Sequence, residues 1–251
     1  MNKLHANAAA ALADIPDGAS LAVGGFGLNG VPHALIDALH AQGADRLRVV
    51  SNNCGSGDRG LGLLLPDHRI AHVTCSYIGE NKEFARQYLA GEIDVALIPQ
   101  GTLAERLRAG GAGIPAFYTP AGVGTQVAEG GLPVRHHPDG RVAIASPPKE
   151  QRVFDGRSYV LERGIRTDYA LVRAARGDTH GNLVFHKAAA NFNPVVAMAG
   201  QITVAEVEEL VEPGVIDPEH VHLPGVFVQR VVALTPQQAA DKPVEKRTVR
   251  P

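Results

Sequence analysis

The segment Asp17 to Pro32 constrains this chain more than any other. An apolar run, Leu21-Ala22-Val23, stops at Gly24-Gly25, and Pro32 then opens an amphipathic stretch from His33 to Ala41. That is the pattern of a strand, a glycine turn and a helix. Proline suits the first helical position because it has no N–H to leave unpaired. Glycines in such a turn reach positive φ and admit a ligand close to the backbone. The helix start behind them offers unpaired N–H groups and the positive dipole end to an anion.

Gly25, Gly27 and Gly30 satisfy G-x-G-x-x-G, the dinucleotide fingerprint. That reading also requires an acidic side chain at the end of the second strand, to hold a ribose hydroxyl. Here the second strand, Leu47 to Ser51, runs into Asn52 and Asn53, and Asp45 lies before it, at the wrong end. A nicotinamide site is therefore disfavoured. A glycine turn that only packs a helix onto a sheet remains the simpler alternative.

The first half of the chain alternates strand and helix. Strands are expected at Ser20–Val23, Leu47–Ser51, Ile70–Ser76, Val95–Ile98 and Ala116–Thr119, and helices at Ala6–Ala13, Pro32–Ala41, Lys82–Ala90 and Thr102–Ala109. Thr102 and Glu105 form a capping-box pattern, and Gly91 and Gly110 read as helix stops. Such βα alternation predicts an α/β fold: an open, largely parallel sheet with helices on both faces, binding ligands at the strands' carboxyl ends. The second half changes character. Pro138-Asp139-Gly140 and Asp155-Gly156 are hairpin signals, and Ala170–Ala174, Leu183–His186 and Ile202–Val211 read as strands, so an additional mixed or antiparallel β portion is expected. With no internal repeat and no linker, residues 1–234 are expected to form one domain. The Gln/Lys/Pro-rich tail, 235–251, is expected to be disordered.

Composition narrows the function classes. A net charge of −2 gives no electrostatic case for nucleic acid. No apolar run approaches the roughly 20 residues of a membrane span. The N-terminal alanine-rich stretch, broken by Lys3, His5 and Asn7, reads as a helix rather than a signal peptide, so a cytoplasmic protein is expected. The two cysteines, Cys54 and Cys75, make no disulfide scaffold.

Beyond the glycine turn, several blocks stand in order: Ser51-Asn52-Asn53-Cys54-Gly55, Gly79-Glu80-Asn81-Lys82-Glu83-Phe84, Pro99-Gln100-Gly101-Thr102-Leu103-Ala104-Glu105-Arg106, Gly110 to Thr119, Asn191-Phe192-Asn193-Pro194, and the acidic run Val204 to Val211. Together with Asp17-Gly18 and Gly24-Gly25-Phe26 leading to Gly30 and Pro32, this set resembles the family I coenzyme A transferases. Within that family it is similar to the A half of 3-oxoacid enzymes of the succinyl-CoA:3-ketoacid type, over roughly residues 5 to 234.

The resemblance implies transfer of CoA between carboxylates through a glutamyl-CoA thioester, with ping-pong kinetics. CoA is then a substrate, and neither a metal nor another cofactor is required. In the family the nucleophilic glutamate lies in a Ser-Glu-Asn-Gly motif of the B half. This chain has no such tetrapeptide; its counterpart is Ser51-Asn52-Asn53-Cys54-Gly55. No catalytic nucleophile is therefore expected here. A partner B subunit, in a heterodimer or heterotetramer, is expected to bring it. The expected substrate- and CoA-binding residues are Gly24, Gly25, Phe26, Gly27, Gly30, Asn52, Asn53 and Gln100, with the three amides at predicted strand ends orienting a carboxylate or a reacting carbonyl.

Rival readings stay open at this point. The chain fits another CoA-transferase or CoA-ester hydrolase subunit (acetate, butyrate or 3-oxoadipate type), or a non-catalytic assembly protein. A sugar-phosphate isomerase is disfavoured because no Lys or Arg adjoins the glycine turn. Glu80 is the best nucleophile within the chain, although a helix start favours a carboxylate anyway. Cys54 lacks an adjacent His and reads as an inert buried thiol. His136-His137 and His220/His222 lack a third ligand at metal-site spacing. Lys82 is a candidate for contact with CoA. Glu206, Glu208, Glu209 and Glu212 read as a solvated strand face.

Overall fold

The glycine turn sits where the strand order of the main sheet reverses. The computed structural model describes residues 2–242. The chain opens with β1 (Leu4–His5) and α1 (Ala8–Leu12), then runs through β2 (Ser20–Val23), α2 (His33–Gln42), β3 (Leu47–Val50), β4 (Ile70–Cys75), α3 (Lys82–Leu89), β5 (Asp94–Leu97) and α4 (Gln100–Gly111). After an antiparallel insertion it returns as β11 (Thr167–Asp178), the short β12 (Leu183–Val184), α6 (Asn193–Ala199), β13 (Gly200–Val211), β14 (Arg230–Ala233) and α7 (Pro236–Ala239).

Among the described residues the main sheet has nine strands, in the order β1-β14-β13-β11-β2-β3-β4-β5, all parallel along this path, with β12 antiparallel to β11. From β2 the chain builds outward through β3, β4 and β5, while β11, β13 and β14 fill the other side, with β1 at its edge. The crevice at the carboxyl ends of β2 and β11 is thus a topological switch point, where sheets of this kind hold their ligands.

Strand pleating divides the core. On β2, Leu21 and Val23 join α1, α2 and α3 on one face, while Ala22 faces α4 and α6 on the other. On β11, Tyr169 and Leu171 go to the first face, and Ala170, Val172 and Ala174 to the second. Strands buried on both faces explain the continuous apolar runs.

The insertion holds β6 (Ala116–Thr119), α5 (Gln126–Glu129), β7 (Pro133–His136), β8 (Val142–Ala145), β9 (Gln151–Phe154) and β10 (Arg157–Arg163). β6, β10 and β9 form a separate antiparallel sheet, and β7 pairs with β8. The expected strand Ala116–Thr119 therefore exists but leaves the parallel sheet. At the β9–β10 turn Asp155 and Gly156 both take positive φ (48° and 76°), the tight hairpin geometry their sequence calls for.

Three local expectations are corrected. Thr102 does not cap α4; the helix starts at Gln100 after Pro99, and Thr102 lies buried in its first turn. Gly110 does not stop it; a Cβ there would stand 1.9 Å from the Ile165 carbonyl oxygen, so tertiary packing demands this glycine. Nor is the tail disordered from residue 235. Residues Pro236–Ala239 form α7 behind a Thr235/Gln238 capping box, and Arg173 donates to the carbonyls of Gln238 and Ala239. The remainder of the predicted tail, 243–251, lies outside the described residues.

Candidate functional site

At the end of β2 the Gly24 N–H donates to the Leu171 carbonyl and the chain folds back on itself, Phe26 and Asn29 exchanging both backbone hydrogen bonds at 3.0 Å. Gly25, Gly27 and Gly30 all take positive φ (116°, 60° and 69°). The glycines do different work. A Cβ on Gly24 would stand 2.0 Å from Asn193 Oδ1, one on Gly25 2.6 Å from the Val31 side chain, and one on Gly30 2.8 Å from Asn193 Nδ2. Only Gly27 of the four opens onto free space. Beneath Gly24 and Gly25 is a gap of about 10 Å³, room for roughly one water and no substrate.

The acceptor expected at the start of α2 is an internal carboxyl group. Glu206, on β13 and 0% exposed, accepts from the Leu35 N–H at 2.9 Å. Its other oxygen lies 3.4 Å from Arg173 Nη1, and Arg173 Nε donates to Glu208 at 3.0 Å. Glu206 and Glu208 are therefore not the solvated strand face expected of them. Burial pushes the Glu206 carboxyl up to about 8, against the opposing pull of Arg173 and the helix N–H groups. Arg173 stands alone in an apolar run, but Glu206 is one of several glutamates in its strand, and only the register Arg173↔Glu206 brings the two together. Beside them His33 is held down to about 4, first by burial and then by the Arg59 charge.

The carboxyl ends of β3, β4 and β5 carry the polar floor of a cleft of about 350 Å³ lined by Phe26, Gly27, Asn52, Asn53, Ser76, Tyr77, Glu80 and Gln100. Asn52 is 3% exposed, and its Oδ1 accepts from Ser76 Oγ at 2.7 Å and Gln100 Nε2 at 2.8 Å. Asn53 Oδ1 accepts from the Gly27 N–H at 3.2 Å and, at 3.4 Å, from Asn52 Nδ2. The floor is thus a chain of amides in which acceptors are committed to neighbours. The exposed Gln100, at the N-terminus of α4, keeps a second Nε2 hydrogen beyond its bond to Asn52. Amides held in this way are preorganised donors for an oxygen on which negative charge develops. Phe26 and Tyr77, 47% and 51% exposed, are the aromatic walls.

Of the eight predicted site residues, five meet here: Phe26, Gly27, Asn52, Asn53 and Gln100. Gly24, Gly25 and Gly30 do not line this cleft; Asn193 and Val31 crowd the space a Cβ would take at each. Ser76 and Tyr77 were missed; they follow β4 in a stretch whose only sequence signal is its place at a strand end. Glu80 stands between this cleft and a second hollow of about 560 Å³, which Lys82, Asp58 and Arg86 also line. Arg86 is tied to Glu83 and Glu92. Cys54 and Cys75 are free and buried; burial pushes both thiols up, Cys54 well above its ordinary range and Cys75 to about 12. Among the described residues no group of three His, Cys, Asp or Glu side chains is placed to hold a metal ion.

The family model described as "Coenzyme A transferase" matches residues 5–234. A Mycobacterium bovis protein, named as the A chain of a probable succinyl-CoA:3-ketoacid coenzyme A transferase, is 66% identical over 250 residues, covering 100% of both sequences. The human mitochondrial succinyl-CoA:3-ketoacid coenzyme A transferase 2 is 49% identical over 98% of this chain, which spans only 47% of that protein's length. Among solved structures, an acyl-CoA transferase from E. coli O157:H7, as a thioester complex with CoA, superposes with a TM-score of 0.78 at 25% identity, covering 94% of this chain and 48% of that one.

Proposed function

This chain belongs to the coenzyme A transferase family as an A-type subunit, and we propose that it acts with a B subunit to move CoA from succinyl-CoA to a 3-oxoacid such as acetoacetate. The observation that carries this reading is the amide floor, Gln100–Asn52–Ser76 with Asn53, open at the carboxyl ends of the strands beside Phe26 and Gly27. It is a site that binds and polarises a carbonyl, and it suits acyl transfer. Residues 1–234 are its working unit, and CoA is its substrate rather than a resident cofactor.

The chemistry proceeds by covalent exchange on a glutamate of the B subunit. That carboxylate attacks the donor thioester and expels CoA thiolate, leaving a mixed anhydride. The thiolate attacks the glutamyl carbonyl of the anhydride, giving an enzyme thioester and releasing the donor acid. The acceptor carboxylate attacks this thioester, and the expelled thiolate attacks the acyl carbonyl of the new anhydride. The products are the new acyl-CoA and the free glutamate. Each attack builds negative charge on a carbonyl oxygen, which the N–H groups of Gln100 and Asn52 meet. Phe26 and Gly27 bound the acid's carbon chain.

The test is reconstitution. The purified chain alone should transfer no CoA, and addition of its B subunit should restore transfer, with a glutamyl-CoA adduct found by mass spectrometry on the B polypeptide. An adduct on this chain in the absence of B would refute the reading. A purely architectural role is distinguished by substitution at Asn52 or Gln100, which should slow turnover while the complex stays assembled. No helix among the described residues is long and apolar enough to cross a membrane.

A further inference from the structure

The block Asn191-Phe192-Asn193-Pro194 has no part in the chemistry above, yet it grips the glycine turn from behind. Asn193 is 0% exposed. Its Nδ2 donates to the Gly30 carbonyl at 2.9 Å and to the Ala189 carbonyl at 2.8 Å, while its Oδ1 accepts from the Arg173 N–H at 3.1 Å. Both of its N–H donors are therefore used on backbone carbonyls. Asn191 Nδ2 donates to the Asn29 carbonyl at 3.0 Å and to the Ala188 carbonyl at 2.7 Å, and its Oδ1 accepts from the Phe192 N–H.

The bonds continue to the cleft. The Asn29 carbonyl that Asn191 holds also accepts the Phe26 N–H, and the neighbouring Gly27 N–H is held by Asn53. The turn is thus suspended between two asparagines behind it and one in front. Its backbone is glycine-rich and at positive φ, a conformation with little steric restraint of its own, so these bonds decide where Phe26 stands.

We propose that Asn191 and Asn193 are positioning residues of the transferase. They hold the far side of the glycine turn so that Phe26 and Gly27 form the wall against the small acid. The proposal rests on the acyl-cleft reading above. It concerns binding of the acid more than the covalent steps, because the wall meets the carbon chain and not the reacting oxygen.

Asn191→Asp and Asn193→Asp change neither size nor shape. Each keeps the accepting oxygen and replaces the donating N–H groups by an oxygen facing carbonyls. In the assembled complex each should raise KM for the acceptor acid about tenfold with kcat changed less than about threefold. Hydrogen exchange in the peptide spanning residues 24–31 should become faster. A role in folding alone lowers thermal stability without that split between KM and kcat. Should Asn193→Asp fail to fold, the half-buried Asn191→Asp carries the test. Faster exchange with unchanged KM overturns the proposal, because the turn then moves without altering the cleft. Unchanged exchange and unchanged KM overturn the grip itself. A wild-type complex that transfers no CoA would overturn the functional reading, and the proposal with it. An active wild type with indifferent variants overturns this proposal alone.

Discussion

Replacing Gly24 by Ala adds one methyl group at a residue whose φ is not in the left-handed region, so backbone strain predicts little change. Packing predicts a large one. The new Cβ would lie 2.0 Å from Asn193 Oδ1 and 2.7 Å from its Cγ. The Asn193 amide must swing away and release its bonds to Arg173 N, Gly30 O and Ala189 O. Each buried backbone group left unpaired costs about 1–3 kcal/mol, so the expected loss is about 3–6 kcal/mol after partial relaxation. Gly27→Ala is the control. Its Cβ meets nothing, but φ is +60°, and the strain alone should cost about 1–2 kcal/mol. Urea unfolding followed by far-UV circular dichroism measures both. Asn193→Ala should in turn make room for the methyl, so Gly24→Ala should cost much less in that background. A Gly24→Ala variant as stable as Gly27→Ala, or strictly additive with Asn193→Ala, would refute the reasoning.

Asn52→Ala should lower kcat about 100-fold with the A–B complex intact by size-exclusion chromatography; dissociation without a kinetic effect in the remaining complex would favour an architectural role. Glu80→Gln should retain most turnover, and near-complete loss would promote Glu80 to nucleophile. Glu206 binds its proton more tightly folded than unfolded, its carboxyl rising from 4.5 to about 8, so its contribution to stability falls as pH climbs through that interval, at most about 1.4 kcal/mol per pH unit. His33, held down from 6.5 to about 4, acts with the opposite sign below pH 6.5, so the cleanest window is pH 6.5 to 8. There the thermal midpoint of the wild type should decline relative to Glu206→Gln, and parallel curves would contradict the burial argument. Cys54 should resist thiol reagents in the native protein, since burial both blocks access and disfavours the thiolate; rapid labelling without unfolding would show otherwise.

Much of the cleft was legible because its signals are local. A strand stopped by Gly24-Gly25, a second strand ending in Asn52-Asn53, and Gln100 after Pro99 each announce a strand end, and a parallel sheet gathers such ends on one side. The same logic misled where a local pattern had two causes. Thr102 with Glu105 imitates a cap, but Pro99 permits the helix to start at Gln100, and the threonine is carried into the packed first turn. Gly110 imitates a stop, while its smallness answers the Ile165 carbonyl, contributed by a segment far along the chain. Ser76 and Tyr77 went unnoticed because residues of their type are ordinary after any strand.

Periodicity and turn chemistry, which depend on neighbours a few residues apart, were enough to dictate the βα alternation, the hairpin at Asp155-Gly156 and the position of the glycine turn. They could not dictate which strand lies beside which. The pairing of β11 with β13 sets Arg173 against Glu206, and that buried pair, not a ligand, occupies the start of α2. The approach of α6 to the end of β2 makes Gly24 and Gly30 obligatory through Asn193. These contacts join residues separated by more than 30 to more than 160 positions. Their energies depend on burial and register, quantities that exist only once the sheet has closed around them.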